Sequence, residues 1–252
     1  MKILISNDDG VYAPGLKVLA SAMKKIGKIE VVAPLEEKST MGHSLTLHKP
    51  LRLNKMDDGF YGINGSPADC VYMAIKAVLK GKPDLVVSGP NRGGNMGQDV
   101  YYSGTVSAAR EACILGIPAI SISVDVPHSS VKKRPLKIHY ETAAKYLAQF
   151  IKNFPLSTIP KHTLLNINVP NVPYSKLKGE KVTRLGFRHY SGDVVERMDH
   201  RGRPYYWVGG SYKGFHNVSG TDCYTIDEGY VSITPVQLDC TNHGYLEALL
   251  NQ

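Results

Sequence analysis

A short apolar run, Ile3-Leu4-Ile5, passes without a spacer into Ser6-Asn7-Asp8-Asp9-Gly10. Three apolar residues in a row before a turn former read as a strand buried on both faces, the pattern of a parallel sheet. Two adjacent carboxylates then stand at its carboxyl end, the edge at which open α/β sheets bind ligands. Such a strand must be covered by helices on both faces, and whatever uses Asp8 and Asp9 must lie beyond its end.

The residues that follow supply the cover. Leu16, Leu19, Ala20, Met23 and Ile26 recur at a helical period over residues 16–26, and Gly27 stops that helix. Ile29-Glu30-Val31-Val32-Ala33 is a second strand closed by Pro34, so a β-α-β unit with a right-handed parallel crossover is expected. Residues 35–48 show no period and form a long loop at the same sheet edge as the two acids, where long loops tend to be functional. Residues 51–53 and 60–63 read as an antiparallel pair around Asp57-Asp58-Gly59, and Ser66-Pro67 opens a helix reaching about residue 79. Residues 84–88 form the next buried strand, and the glycine-dense stretch 89–97 reads as a loop whose backbone can approach a ligand closely. An Ala-rich helix follows Ser103-Gly104-Thr105, then a strand at 118–123, an amphipathic helix at 136–150 and a strand at 164–169. After Val172 the chain turns to Gly, Pro and Tyr in short segments, 181–187, 204–208 and 230–234, expected to be hairpins that project from the sheet or extend it.

Composition excludes several classes. At 42 % hydrophobic and 21 % charged residues the chain is globular rather than disordered. No apolar run approaches the ~18 residues of a membrane span and the first residues lack a signal-peptide pattern, so a cytoplasmic protein without a membrane partner is the default. Cys70, Cys113, Cys223 and Cys240 form no C-x-x-C pair and are expected to be structural thiols. The formal charge of +8 suits a phosphate-bearing partner. Basic clusters at 132–134 and 197–203 form no repeating stripe with aromatics, so no stable nucleic-acid partner is expected.

The chemistry converges on the strand ends. Asp8 and Asp9, bent together by the turn at Gly10, suit a hard divalent cation, although Asn-Asp-Asp-Gly is equally a set of turn formers. Ser39 and Thr40 on the long loop, with Asn91 and Asn95 on the glycine stretch, add neutral oxygens, a donor set for Mg²⁺ or Mn²⁺ rather than zinc. Ser103-Gly104-Thr105 at a helix start is either a plain cap or a phosphate site made of hydroxyl and backbone N–H donors. No Gly-x-x-x-x-Gly-Lys-Ser/Thr and no Gly-x-Gly-x-x-Gly after the first strand occurs, which excludes a P-loop and counts against a dinucleotide cofactor. His43 and His48 flank the long loop, and His43 is a candidate for acid/base work.

The motifs Ile5-Ser6-Asn7-Asp8-Asp9-Gly10-Val11, Ser44-Leu45-Thr46, Gly65-Ser66-Pro67-Ala68-Asp69-Cys70-Val71, Ser88-Gly89-Pro90-Asn91, Tyr102-Ser103-Gly104-Thr105-Val106 and Gly229-Tyr230-Val231-Ser232-Ile233-Thr234-Pro235 together resemble the SurE survival-protein family of 5′/3′-nucleotidases. The resemblance implies a Rossmann-like α/β core over residues 1–170, a mostly parallel sheet flanked by helices. It implies a C-terminal β-hairpin-rich extension over residues 171–252, used in forming a homo-oligomer, a dimer or tetramer. It also implies a phosphomonoesterase acting on nucleoside monophosphates, with one divalent ion per subunit, Mg²⁺ or Mn²⁺. Carried over by position, Asp8, Asp9, Ser39 and Asn91 are the metal ligands, and Asn95, Ser103, Gly104 and Thr105 bind the substrate phosphate. Asp8, Asp9 and Asn95 are then the catalytic residues. Two rival readings stand beside this one. An aspartate nucleophile would form an aspartyl-phosphate, although the Asp-x-Asp spacing of that chemistry is absent, and a non-catalytic nucleotide or nucleic-acid binder would suit the charge and the glycine stretch.

Overall fold

The computed structural model describes residues 1–126 and 136–251, so the basic cluster at 132–134 lies outside the described residues. The first unit is β1 (Lys2–Ser6), α1 (Pro14–Met23) and β2 (Lys28–Pro34), with β1 and β2 parallel as expected. The helix lies earlier than the sequence pattern indicates, because Pro14 takes the first helical position that its fixed φ suits. It ends at Met23, and a Cβ on Gly27 would stand 2.6 Å from the Met1 carbonyl oxygen, so only glycine lets the chain pass back along β1.

Next come β3 (Leu53–Lys55), β4 (Tyr61–Ile63) and α2 (Pro67–Met73), the last continued by a π-helical turn over Ala74–Val78. The hairpin forms, but its first strand is set two residues later than expected, paired Leu53 to Ile63, while β4 runs parallel to β2. β5 (Leu85–Arg92) corrects the reading of residues 89–97 as loop, since Gly89, Pro90, Asn91 and Arg92 belong to the strand. The ladder with β6 (Ala119–Asp125) shifts register between Ser88 and Asn91, and a Cβ on Gly89 would meet the Ile122 carbonyl oxygen at 2.1 Å. That glycine serves strand approach.

Between β5 and β6 lies α3 (Gly104–Ile114); after β6 come α4 (Tyr140–Asn153), which starts four residues later than expected, and β7 (Thr163–Pro170). Beyond residue 170 the chain adds β8 (Glu180–Val182), β9 (Arg188–Tyr190), β10 (Val194–Met198), β11 (Pro204–Val208), β12 (Tyr212–Phe215), α5 (Asp222–Asp227), β13 (Val231–Gln237) and α6 (His243–Leu250). The main sheet has the order β3-β4-β2-β1-β5-β6-β7-β13-β8, parallel except at β3–β4 and β7–β13. It is a mostly parallel α/β sheet with helices on both faces, and β13 extends it while β10–β11 and β9–β12 form separate antiparallel ribbons. The helices α5 and α6 carry too short an apolar pattern to announce themselves, and every residue of α6 is exposed.

The two faces differ in chemistry. Ile3, Ile5, Val87, Ile120, Ile122 and Ile167 pack under α1 and α4, an aliphatic core. On the other face, under α2 and α3, two rows of small polar residues cross the sheet in register. One runs Ser6, Ser88, Ser121, Asn166, Thr234, and the other Asn91, Ser123, Asn168, Ser232. Small side chains there let α3, itself lined by Ala108, Ala109 and Ala112, settle close to the sheet.

The loop 35–48 is fastened to α2 through Asp69. This 2 %-exposed carboxylate accepts hydrogen bonds from the Ser66 N–H (2.8 Å), the Thr46 N–H (2.8 Å) and the Thr46 hydroxyl (2.6 Å), while Ser66 Oγ accepts from the Asp69 N–H (3.0 Å), a complete capping box. Asp69→Ala should therefore cost on the order of 3 kcal/mol of unfolding free energy in urea, since buried donors lose a charged acceptor. Ser66→Ala should cost only about 1 kcal/mol.

Candidate active site

Asp8 leaves the end of β1 on the face covered by α3 and is 4 % exposed. Thr105 Oγ1 donates a short hydrogen bond to Asp8 Oδ1. The approach is close enough that a Cβ on Gly104 would stand 2.7 Å from Asp8 Cβ and 2.8 Å from Asp8 Oδ2. Glycine at the first position of α3 is thus what allows a helix N-terminus to rest directly on a carboxylate. Burial raises the Asp8 carboxyl above its ordinary value, and the Thr105 hydrogen bond opposes that rise.

Asp9 turns toward the end of β5. Its carboxyl is pushed up to about 7, first by burial and then by the charge of Asp8 and of Glu37, against the pull of the Arg92 backbone N–H and guanidinium. The Asp9 charge also reaches Tyr140 at the start of α4. Two carboxylates packed this way repel each other, and a cation between them would relieve both desolvation and repulsion.

The long loop closes over the pair. The Lys38 N–H donates to the Asp8 carbonyl at 2.8 Å and the Gly42 N–H to the Tyr102 carbonyl at 3.0 Å, which ties residues 38–42 to both β1 and the entry of α3. Ser39 is exposed and its hydroxyl donates to Glu37 Oε1 at 2.6 Å. Thr40 beside it has a φ of 60°, a strained conformation for a β-branched residue, and Gly42 shares that value without strain. Asn91 spends its Nδ2 on the Gly93 carbonyl (2.9 Å), which leaves its side-chain oxygen as the group it offers.

Asn95 is held more firmly than its place in a glycine stretch suggests. Asn168 on β7 grips its backbone from both sides, with the Asn95 N–H donating to Asn168 Oδ1 (2.8 Å) and Asn168 Nδ2 donating to the Asn95 carbonyl (3.1 Å). Asn166 Nδ2 donates to the same carbonyl at 2.8 Å, and Asn95 Nδ2 donates to Ser123 Oγ at 2.8 Å, its second amide hydrogen having no partner among the described residues. The polar row on the sheet is therefore the seat of this loop. Ser103 is the N-cap of α3, accepting the Val106 N–H at 3.0 Å, so the cap reading of that residue holds and its O–H is left to donate elsewhere.

His43 reaches Glu111, a 3 %-exposed residue of α3, with Nε2 and Oε2 2.8 Å apart. Glu111 carried no sequence signal of its own, because a single acid inside an Ala-rich helix reads as a solvated face. His48 is exposed. Among the four cysteines, Cys70, Cys113 and Cys223 are buried and Cys240 is exposed, and all are free thiols.

The donor chemistry fits a hard cation. Among the described residues no three His, Cys, Asp or Glu side chains gather at one point, so the available set is the two acids, neutral oxygens and water. The side-chain oxygen of Asn7, between β1 and Asp8, is buried without a hydrogen-bond partner among the described residues, and marks an unfilled acceptor at the same turn.

Comparison with known proteins agrees with this architecture. The family described as Survival protein SurE matches residues 3–192. A 5′-nucleotidase SurE of Geobacter sulfurreducens is 46 % identical over 99 % of this chain and 92 % of its own length, and one of Legionella pneumophila is 45 % identical over 100 % and 96 %. The crystal structure of the SurE protein from Aquifex aeolicus superposes with a TM-score of 0.83 at 41 % identity, covering 100 % of both chains. A buried acid under a glycine-led helix start, carried on a matching sheet along the whole length, makes this chain a member of the SurE survival-protein family.

Proposed function

We propose that this chain is a divalent-metal-dependent phosphomonoesterase that hydrolyses nucleoside 5′- and 3′-monophosphates to nucleoside and phosphate. The observation that carries the reading is Asp8 buried beneath the N-terminus of α3, in a chain similar over its whole length to 5′-nucleotidases. A helix N-terminus beside a carboxylate suits a bound anion only if a cation sits between them.

Asp8, Asp9, Ser39 and Asn91 would hold one divalent ion per subunit, Mg²⁺ or Mn²⁺. When bound, such an ion neutralises phosphate charge and polarises a phosphate oxygen. The chain's own groups do the rest. The Gly104 N–H, the Ser103 hydroxyl and the Asn95 amide would serve as donors for the equatorial oxygens that gain charge in phosphoryl transfer. Thr105 directs both its hydroxyl and its backbone N–H to Asp8, so it acts on the phosphate only through that acid. The loop 35–48 limits water at the site by lying over β1 and α3.

The exposed ribbon β10–β11, with Trp207, Tyr206 and Val208 65 %, 57 % and 86 % exposed, supports the further reading that residues 171–252 join subunits of a homo-oligomer. Among the described residues no helix is long and apolar enough to cross a membrane.

Phosphate release from a panel of nucleoside monophosphates should be abolished by EDTA and restored by Mg²⁺ or Mn²⁺; full activity in EDTA, or an aspartyl-phosphate trapped on Asp8 or Asp9, would overturn the mechanism. Asp8→Asn should lower kcat/KM on the order of a hundredfold or more in the presence of metal. Gly104→Ala should cost about a hundredfold by pushing the helix off Asp8, with secondary structure preserved in circular dichroism. Replacing residues 194–208 by a short Gly-Ser linker should lower the molar mass found by light scattering.

A further inference from the structure

The segment from Gly94 to Ser103 carries a proposed phosphate donor near each end, Asn95 and Ser103. The sheet holds its first end through Asn166 and Asn168. The rest of it is fastened by residues from beyond position 180.

A 3₁₀ turn over Gly97–Tyr101 forms the middle of the segment. The Gly97 N–H donates to Asp222 Oδ2 at 2.9 Å, and the fully buried Asp222 accepts the Gly186 N–H at 2.7 Å on its other oxygen. A Cβ on Gly97 would stand 2.8 Å from the Gly186 carbonyl oxygen, so glycine is what lets the two segments touch. Gln98 pairs with the Arg188 backbone in both directions, Nε2 donating to the carbonyl at 2.6 Å and Oε1 accepting the N–H at 2.9 Å. Apolar contact is small by comparison, a cluster of Met96, Cys223 and Ile226 with Phe215 against it.

The Arg188 side chain, 5 % exposed, ties the two ends together. Its Nη1 donates to the Gly94 carbonyl at 3.1 Å and to Asp99 Oδ2 at 2.7 Å. Gly94 precedes Asn95, and the Asp99 carbonyl accepts the Ser103 N–H at 3.0 Å, at the cap of α3. One nitrogen therefore joins the stretches that carry the two donors. The Tyr190 hydroxyl donates to the same Asp99 oxygen at 2.5 Å, and the guanidinium carbon lies 4.7 Å from the Tyr212 ring centroid, which fixes its plane. A buried ion pair adds little net stability over an apolar pair of the same volume. What a planar guanidinium adds is a set distance and direction, which a lysine does not supply.

Resting on the phosphomonoesterase reading above, we infer that Arg188 is a positioning residue for the reaction: its Nη1, between Gly94 and Asp99, sets the separation at which Asn95 and Ser103 serve one phosphate. It acts through those two residues and not by touching substrate. The last third of the chain thereby completes a site whose proposed ligands and donors all belong to the first.

Arg188→Lys keeps the charge and loses the fork. It should lower kcat/KM at least about tenfold, by the same factor for adenosine 5′-monophosphate and for p-nitrophenyl phosphate, which has neither ribose nor base, because a donor misplaced by about 1 Å costs on the order of a hundredfold. Asp99→Ala should lower it similarly, Asp99→Asn should recover most of that loss by keeping an oxygen for Nη1, and Arg188→Lys with Asp99→Ala should lose no more than the worse single change. The affinity of the folded variants for inorganic phosphate with Mg²⁺, measured by calorimetry, should fall about tenfold in Arg188→Lys. A loss on the nucleotide alone, additive losses in the double variant, or wild-type phosphate affinity in folded Arg188→Lys each overturns the inference, the last leaving Arg188 a structural role only. Should Arg188→Lys fail to fold, Tyr190→Phe decides: kcat/KM should fall about threefold in the wild type and not at all beside Asp99→Ala, and an unchanged value in the wild type overturns the inference. Wild-type protein that releases phosphate from neither substrate refutes the phosphomonoesterase reading, while the phosphate affinities still test the placement of the donors.

Discussion

The structure depends on one close approach, that of α3 to the end of β1. A helix start can lie on a carboxylate only where its first residue has no side chain and the sheet beneath is lined with small ones. Gly104 meets the first condition. Ser6, Ser88 and Ser121, in register across β1, β5 and β6, meet the second. The gain is electrostatic: the Thr105 backbone N–H and hydroxyl, at the positive end of a helix, both favour one buried acid in a place where water screens little. The cost is a polar row inside the sheet, where Ser6, Ser88 and Ser232 hydroxyls have no hydrogen-bond partner among the described residues.

That row also explains how the loop carrying Asn95 is held although it is rich in glycine. Asn166 and Asn168 use their amides as a strand uses its backbone, clasping Asn95 by both its N–H and its carbonyl. Loops at the ends of parallel strands are ordinarily the softer part of an α/β fold. Here the softness is countered by side chains that belong to the sheet itself, so Asn95, one of the proposed phosphate donors, is held in place by the sheet.

Much of this was legible in the residues. The apolar run into Asp8 and Asp9, the β-α-β order, the Ser66-Pro67 cap and the helix start at Ser103-Gly104-Thr105 are local signals, and local signals survive into the fold. What stayed hidden depended on distant partners. Residues 89–92 look like loop because glycine and proline usually break strands, yet Gly89 is needed for its contact with β6. The pairing of His43 with Glu111 joins positions 68 apart in the chain and leaves no trace in either neighbourhood. The role of Asn166 and Asn168 was masked because alternation of Leu and Asn in a strand reads as an inside-outside pattern, when both faces are in fact buried. Ser39, placed by the resemblance among the metal ligands, is exposed and turned to Glu37, and Thr105 spends on Asp8 the hydroxyl that sequence alone would give to phosphate.

The ribbon β10–β11 has a consequence of its own. All residues of both strands are exposed, and a two-stranded ribbon without a third layer is marginal in water. On the proposed role of residues 171–252 in joining subunits, its order comes from that contact, so its melting should track protein concentration while the sheet's does not. Dilution would then unravel this molecule from the outside inward, leaving the sheet edge at Asp8 intact after the ribbon has lost its shape.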